Sequence, residues 1–334
     1  MSKSKDVIVV GAGAIGCSTA YHLGRRGISV RVVDRESIAV RASGKAWAVF
    51  TYAPLWVAGE ECIATAEEAA EGAPVDVGKT VAGVSVADWL LLHSASYDRM
   101  AEFAIELAER GGVDPEYCET PSTRLMTEAE IESRGGPQAV MEPIRAAGGV
   151  EAHWIDGDAL REVFPSLNPV YAGGVTYPNG QVEPYRFSLS MAQAAEKLGA
   201  EFVQGEVAEF ATQGDWITGV RLASGTQLQA DAVVLATGPW IGTLSAKLGC
   251  PISCRPVFSE CVRVMMPGDF PLHGLGAGDI WIVPKKNGEV ILATYGVKDF
   301  VDRPDFDASL SEETKLAALK EPPRSCRCSR TPRS

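Results

Sequence analysis

The sequence predicts an α/β fold: a parallel sheet assembled from two stretches of chain far apart, beside a second unit of mixed sheet and helix. Three observations predict it. An apolar run Val7–Val10 passes through Gly11-Ala12-Gly13-Ala14-Ile15-Gly16 into a helical stretch to Arg26, and a second apolar run, Val30–Val33, ends on Asp34. Far along the chain, Asp231-Ala232-Val233-Val234-Leu235 reads as a strand buried on both faces, and it closes on Ala236-Thr237-Gly238-Pro239-Trp240. Trp281–Leu292 reads as a β-hairpin turning at Asn287-Gly288.

The first unit is a βαβ dinucleotide-binding pattern, the opening of a Rossmann-type domain. Gly11 allows the tight turn out of the strand. Gly13 removes a side chain where backbone must approach a pyrophosphate, and Gly16 lets the helix pack on the sheet. The helix N-terminus offers free N–H groups to phosphates. Asp34 ends the second strand, where its carboxylate can accept hydrogen bonds from ribose hydroxyls. The fingerprint alone does not choose between FAD and NAD.

Arg41-Ala42-Ser43-Gly44-Lys45-Ala46 follows as a small-residue loop. It suits either a stretch lying along the phosphates or ribityl chain of a cofactor, or a plain surface turn. Residues 88–110 read as a helix stopped by Gly111-Gly112, with Met100, Phe103 and Leu107 as a core stripe. Residues 119–149 are polar and rich in Gly and Pro, with a short helix at Glu128–Ser133. Pro184–Leu198 reads as an amphipathic helix ended by Gly199. A strand Glu201–Gln204 and a hairpin around Ala223-Ser224-Gly225-Thr226 come next. The Thr237-Gly238 ending of the later apolar strand matches close approach of backbone to a ligand. The chain is therefore expected to leave the nucleotide-binding domain and return to it.

At 334 residues the chain is long enough for one large or two ordinary domains. A hydrophobic share of 46% and a charged share of 22% are globular values. The net charge of −12 argues against nucleic acid or an anionic membrane as a partner. No apolar run is long enough to span a bilayer. Asp6 and the glycine pattern argue against a signal peptide at Met1–Lys5, so the expected location is cytoplasmic. The cysteines at 17, 62, 118, 250, 254, 261, 326 and 328 match no zinc spacing, and the histidines at 22, 93, 153 and 273 are dispersed. No metal site is expected.

On these residues the chain resembles the FAD-dependent amine oxidoreductases that include glycine oxidase, sarcosine oxidase and D-amino acid oxidase or dehydrogenase. Gly11–Gly16 with Asp34 matches their FAD-binding start, and Ala42-Ser43-Gly44-Lys45-Ala46 resembles the loop that follows. Gln181-Val182-Glu183-Pro184 is similar to a central V-(D/E)-P segment, and Gly205-Glu206-Val207 to the strand that meets the adenine. Ala236–Trp240 resembles the return strand near the flavin. Trp281-Ile282-Val283-Pro284-Lys285 resembles an aromatic-x-V-P-(R/K) strand whose aromatic faces the substrate. The resemblance covers roughly residues 5–300 and selects FAD over NAD.

The resemblance implies that FAD is held by Gly11, Gly13, Ala14, Ile15, Gly16, Asp34, Ser43, Gly44, Lys45, Val207, Ala236, Thr237, Gly238 and Trp240, with Trp281 toward the substrate. It implies oxidation of the C–N bond of an amino acid or secondary amine, by hydride transfer from the α-carbon to flavin N5 and hydrolysis of the imine. The partner is then a small-molecule amine. The FAD-binding domain is expected over 1–80 and 146–248, and the mixed substrate domain over 81–145 and 249–301. Family members continue into a segment with a carboxylate-binding arginine and a glycine-rich end. This sequence instead predicts a helix at 302–320 and a disordered tail at 321–334, rich in Arg, Pro and Cys, that looks like a shifted reading frame. Two other readings stand beside the oxidoreductase: a truncated, non-catalytic FAD-fold protein, and an NAD-linked dehydrogenase.

Overall fold

The structure, a computed structural model, describes residues 6–51, 80–81, 84–147, 151–254, 261–266, 270–278 and 280–294. The helix expected at 302–320 and the tail at 321–334 lie outside the described residues. The chain opens with β1 (Asp6–Val10), α1 (Ala14–Gly24), β2 (Ser29–Asp34), the single turn α2 (Ala42–Lys45) and β3 (Val49–Thr51). A two-residue pair, β4 (Thr80–Val81) and β5 (Val84–Ser85), leads into the long α3 (Val86–Gly111). Then come β6 (Cys118–Glu119), β7 (Ser122–Thr127), α4 (Glu128–Ser133), α5 (Pro137–Ala147), β8 (His153–Asp156), α6 (Gly157–Val163), β9 (Tyr171–Tyr177) and β10 (Asn179–Gln181). The chain continues with α7 (Pro184–Lys197), β11 (Glu201–Gln204), the meander β12 (Val207–Gln213), β13 (Trp216–Leu222) and β14 (Gln227–Gln229), then β15 (Ala232–Leu235) and α8 (Ile241–Ala246). It closes with β16 (Cys261–Met265), β17 (Gly274–Ala277), β18 (Ile280–Pro284) and β19 (Glu289–Thr294).

The parallel sheet has the order β11-β2-β1-β15. The central strand β1 is apolar at successive positions because both its faces are covered, whereas the edge strands β11 and β15 are half-buried or exposed. Val7, Val9, Val30 and Val32 face α1, α3 and α7 and bury against Tyr21, Leu107 and Met191. Ile8, Val10 and Val33 face the meander and bury against Val207, Val220 and Leu222. β15 pairs with β1 from Val7↔Ala232 to Val10↔Leu235, so the chain does return to the sheet it started.

The second large sheet has the order β16-β19-β18-β17-β7-β9-β8. One face carries Leu125, Leu275, Ile282 and Val290 against Leu160 and Phe164 at α6. The other carries Val283, Ile291 and Ala293 against Trp47 and Val49, just ahead of and within β3. A small sheet has the order β3-β10-β6, and its β3 packs Val49 on the seven-stranded sheet and Phe50 edge-on against Phe187 of α7.

Two assignments differ from the sequence reading. Residues 153–156 and 171–177, expected beside the nucleotide-binding sheet, form β8 and β9 of the seven-stranded sheet, with β9 running antiparallel to β7. Gly173 and Gly174 make that possible, since a Cβ on either would collide with Trp154 or with the β7 backbone. In the other direction, α3 is expected with the second domain, but its Leu107 is fully buried in the cluster of β1, α1 and α7. Gly111 lets α3 touch the backbone of Ser190 in α7. α4 has the expected bounds and a capping box, with the Thr127 hydroxyl accepting from the Glu130 N–H and the Glu130 carboxylate accepting from the Thr127 N–H.

Leu107→Ala would leave a cavity between three helices. It should lower the unfolding free energy by about 3 kcal/mol. Urea titration followed by circular dichroism checks this, and a loss near zero would show that α3 is not part of the core.

Candidate functional site

The site is built where three strand ends meet. Gly11 has φ +107, a conformation that side chains disfavour, and donates its N–H to the Val33 carbonyl at 2.8 Å. A Cβ on Gly11 would fall far inside contact distance of the Ala236 carbonyl oxygen. Gly16 is pressed in the same way onto the carbonyl of Gly11. The turn after β1, the first turn of α1 and the end of β15 are therefore in direct backbone contact.

Ser43 reaches this corner from α2. Its Oγ accepts from the Ala14 N–H at 3.0 Å, and a Cβ on Gly13 would stand 2.9 Å from it. Asp34 ties two loops together: Oδ2 accepts from the Ala12 N–H at 2.7 Å and Oδ1 from the Glu36 N–H at 2.8 Å. A carboxylate has about four acceptor sites, so both oxygens keep capacity for hydroxyl donors. The Arg35 guanidinium lies 4.5 Å from the centre of the Trp240 ring, a cation–π contact. Arg41 Nε donates to both oxygens of Glu36 at 2.9 Å. That pairing holds the Glu36 carboxyl below its usual range and raises Arg41.

These elements surround a cavity of about 260 Å³. Gly11, Gly13, Ile15, Asp34 and Ser43 line it from the start of the chain. Val207, Ala236, Thr237, Gly238 and Trp240 line it from the returning stretch. Four of the residues named from sequence for the cofactor do not line it. Gly16 serves backbone packing, as does Gly44, which lies against the Ala39 carbonyl. Ala14 presents its N–H to Ser43, and the Lys45 carbonyl accepts from the Cys261 thiol at 3.8 Å. The sequence reading missed Arg35, Glu36 and Lys247, which also line the cavity. Arg35 and Glu36 directly follow the strand-ending acid, and that position was the available signal. Lys247 had none.

The lining fits a ligand with both polar and apolar parts. The hydroxyl of Thr237 is buried and has no hydrogen-bond partner among the described residues. Ile15, on the first turn of α1, is 72% exposed at the cavity. FAD, with its phosphates, hydroxyls and flat ring system, has groups of both kinds.

Trp281 lies elsewhere. It sits on β18 opposite Gly276, where a Cβ would come within 2.8 Å of the indole, and it meets the ring of Trp47 edge-on at 6.3 Å. It does not line the cavity. On the same strand face, Lys285 is 5% exposed and donates to the carbonyls of Trp47 at 2.5 Å and Val182 at 3.0 Å. Burial pulls its ammonium down to about 8; the charge of Arg263 adds to the shift, and Glu183, Cys118 and Cys261 oppose it. Among the described residues no group of His, Cys, Asp and Glu could hold a metal, and no helix is long and apolar enough to cross a membrane.

Fold and site together define a dinucleotide-binding α/β protein with a second sheet set against the cofactor loop. Residues 6–321 match the family of FAD-dependent oxidoreductases typified by DAO, and the chain belongs to that family. Its cofactor is FAD. The chain is 28% identical over 306 residues to hydrogen cyanide synthase subunit HcnC of Pseudomonas aeruginosa, covering 88% of this chain and 72% of that one. It is 25% identical over 308 residues to glycine oxidase of Geobacillus kaustophilus, covering 91% and 73%. Its fold is similar to the crystal structure of glycine oxidase from Bacillus cereus, with a TM-score of 0.77 at 24% identity over 96% of this chain and 78% of that one.

Gly13→Ala puts a methyl against Ser43 Oγ, displacing the hydroxyl that caps α1. FAD affinity should fall on the order of tenfold while the apoprotein keeps its circular dichroism. Equal affinity in a fluorescence titration would count against the role of that corner.

The folded pKa of Lys285 lies below the ordinary 10.5, so between about 8 and 10.5 the unfolded chain holds the proton that the folded chain has lost. Stability then rises with pH across that window, and below it the cost of the buried charge is felt in full. The stability of the parent relative to Lys285→Met should therefore climb from pH 8 to 10. A flat difference in chemical denaturation would refute the assignment.

Proposed function

We propose that the chain oxidises the C–N bond of an amino acid or secondary amine. The observation that carries the reading is a cavity whose lining suits FAD together with an aromatic pair, Trp281 and Trp47, on the face of the seven-stranded sheet. The names of the relatives point the same way, since two of them are glycine oxidases.

Under this reading the parallel sheet and its loops hold the cofactor, and the seven-stranded sheet presents the substrate face. Asp34 accepts hydrogen bonds from ribose hydroxyls, and the N-terminus of α1 with Ser43 faces the phosphates. Val207 and the Arg35–Trp240 pair enclose the adenine end. Thr237 donates its otherwise unpaired hydroxyl to the cofactor. When bound, FAD would supply the two-electron acceptor for oxidation of the C–N bond. Trp281 and Trp47 orient the amine and exclude water from the reacting face. The imine leaves and is hydrolysed in solution. That the protein supplies orientation rather than a general acid–base set accords with flavin chemistry in general.

The test is anaerobic mixing of the FAD-loaded chain with glycine, sarcosine and a set of D- and L-amino acids. Loss of the oxidised-flavin absorbance with at least one of them, with imine-derived carbonyl product, is the expected result. A flavin that dithionite reduces but none of these amines bleaches would overturn the substrate class.

A further inference from the structure

The segment Lys45–Ala48 follows Ser43, which lines the cavity, and leads to the Trp47–Trp281 pair; besides the packing of the Trp47 ring, three of its carbonyls accept hydrogen bonds. The Cys261 thiol donates to that of Lys45 at 3.8 Å, the Lys285 ammonium to that of Trp47 at 2.5 Å, and the Val182 N–H to that of Ala48 at 3.2 Å. These donors come from β16, the end of β18 and the end of β10. At the end of the segment Ala48 has φ +53, a left-handed conformation that a residue with a Cβ adopts at a cost.

Lys285 is the centre of this arrangement. Its second bond, to the Val182 carbonyl, is answered from the other side, where the Gln181 amide donates to the Pro284 carbonyl and to Thr120 Oγ1 at 2.7 Å. β10 and β18 thus clasp each other reciprocally, with Trp47 held between them by its carbonyl and by its ring against Trp281. Glu183, the carboxylate whose field reaches Lys285, is engaged by Arg263 at 3.0 Å. Lys285 therefore directs its donors to backbone rather than into an ion pair. A charge buried for that purpose is costly, and filling space alone would be served by an apolar side chain.

We propose that Lys285 is a positioning residue for the flavin. By gripping the Trp47 and Val182 carbonyls it fixes the strained Lys45–Ala48 segment and so the exit of the α2 turn, whose Ala42 and Ser43 line the cavity. This rests on the FAD and amine reading above and deepens it. The lysine works against backbone strain at Ala48, so relieving that strain by another route should replace it.

The test uses the full chain as apoprotein, titrated with FAD and followed by flavin fluorescence, by the visible spectrum of the bound flavin and by thermal melting without FAD. Lys285→Met should weaken FAD binding on the order of tenfold and shift the bound spectrum toward that of free FAD, because two buried carbonyls lose their donor. Lys285→Arg should restore most of both. Adding Ala48→Gly to Lys285→Met should also restore affinity, since glycine enters positive φ without cost. Added instead to Gly13→Ala, the same change should restore nothing. Parent-like affinity and spectrum in Lys285→Met would overturn the proposal. So would a loss that only tracks a lower apoprotein melting temperature and that neither Arg nor Gly repairs. A parent chain that binds no FAD would overturn the cofactor assignment and this inference with it. A parent that binds FAD but is bleached by no amine would overturn only the reaction, and the Lys285 comparison would still decide.

Discussion

The backbone contact between Gly11 and Ala236 is the constraint on which the rest of the site depends. It joins the ends of β1 and β15, which are neighbours in the sheet but lie at opposite ends of the described nucleotide-binding strands in sequence. With no Cβ at Gly11 or Gly16, α1 can lie directly on that junction and aim its N-terminus into the cavity. A single methyl at either position would push the turn and the helix apart, and the distance between Asp34, Ser43 and Thr237 would change with them. The geometry of a ligand site of three chain segments is in this way set by two atoms that are missing.

A second joint, of a different kind, connects this corner to the seven-stranded sheet. Part of it is apolar, with Val283, Ile291 and Ala293 packed on Trp47 and Val49. Apolar contact is non-directional and would tolerate sliding of one layer over the other. The hydrogen bonds of Lys285, Gln181 and Val182 to specific carbonyls do not tolerate it. Buried polar contacts of this sort contribute little net stability, but each one left unmade is expensive, so they select one register of the two layers over its neighbours.

What was legible in the sequence was local. The β1-α1-β2 unit, the capping box of α4, the stop of α7 at Gly199 and the turn at Asn287-Gly288 are each specified by residues within a few positions of one another. The return of β15 to the sheet was legible in its apolar run closed by Thr237-Gly238, but the full burial expected of it is not found: β15 lies at the sheet edge, half-buried at Val233–Leu235 and exposed at Ala232. Pairings that depend on distant partners were not legible. β8 and β9 lie between two nucleotide-binding stretches in sequence, and nothing local reveals that Gly173 and Gly174 are fitted to Trp154 and β7. α5 was hidden in a stretch read as polar and glycine-rich, although its Met141 and Ile144 bury against Val175. Lys285 was read as one letter of a motif, since burial, which gives the charge its meaning, is a property of the folded chain only.

The cavity lining divides into side chains whose hydrogen bonds are made within the fold and side chains that offer a surface to a ligand. Asp34 accepts two backbone N–H groups and Ser43 accepts from the first turn of α1, so folding itself fixes these two side chains at the cavity. Thr237 and Ile15 are in the opposite condition: a buried hydroxyl without a partner among the described residues, and an apolar side chain facing solvent. A ligand that bonds the Thr237 hydroxyl and covers Ile15 finds the two side by side only in the folded chain. A molecule that satisfies them binds the native chain and not the unfolded one, and it shifts the folding equilibrium by mass action. A ligand in this cavity, which β1, α1 and β15 build together, therefore adds its binding free energy to the stability of the parallel sheet.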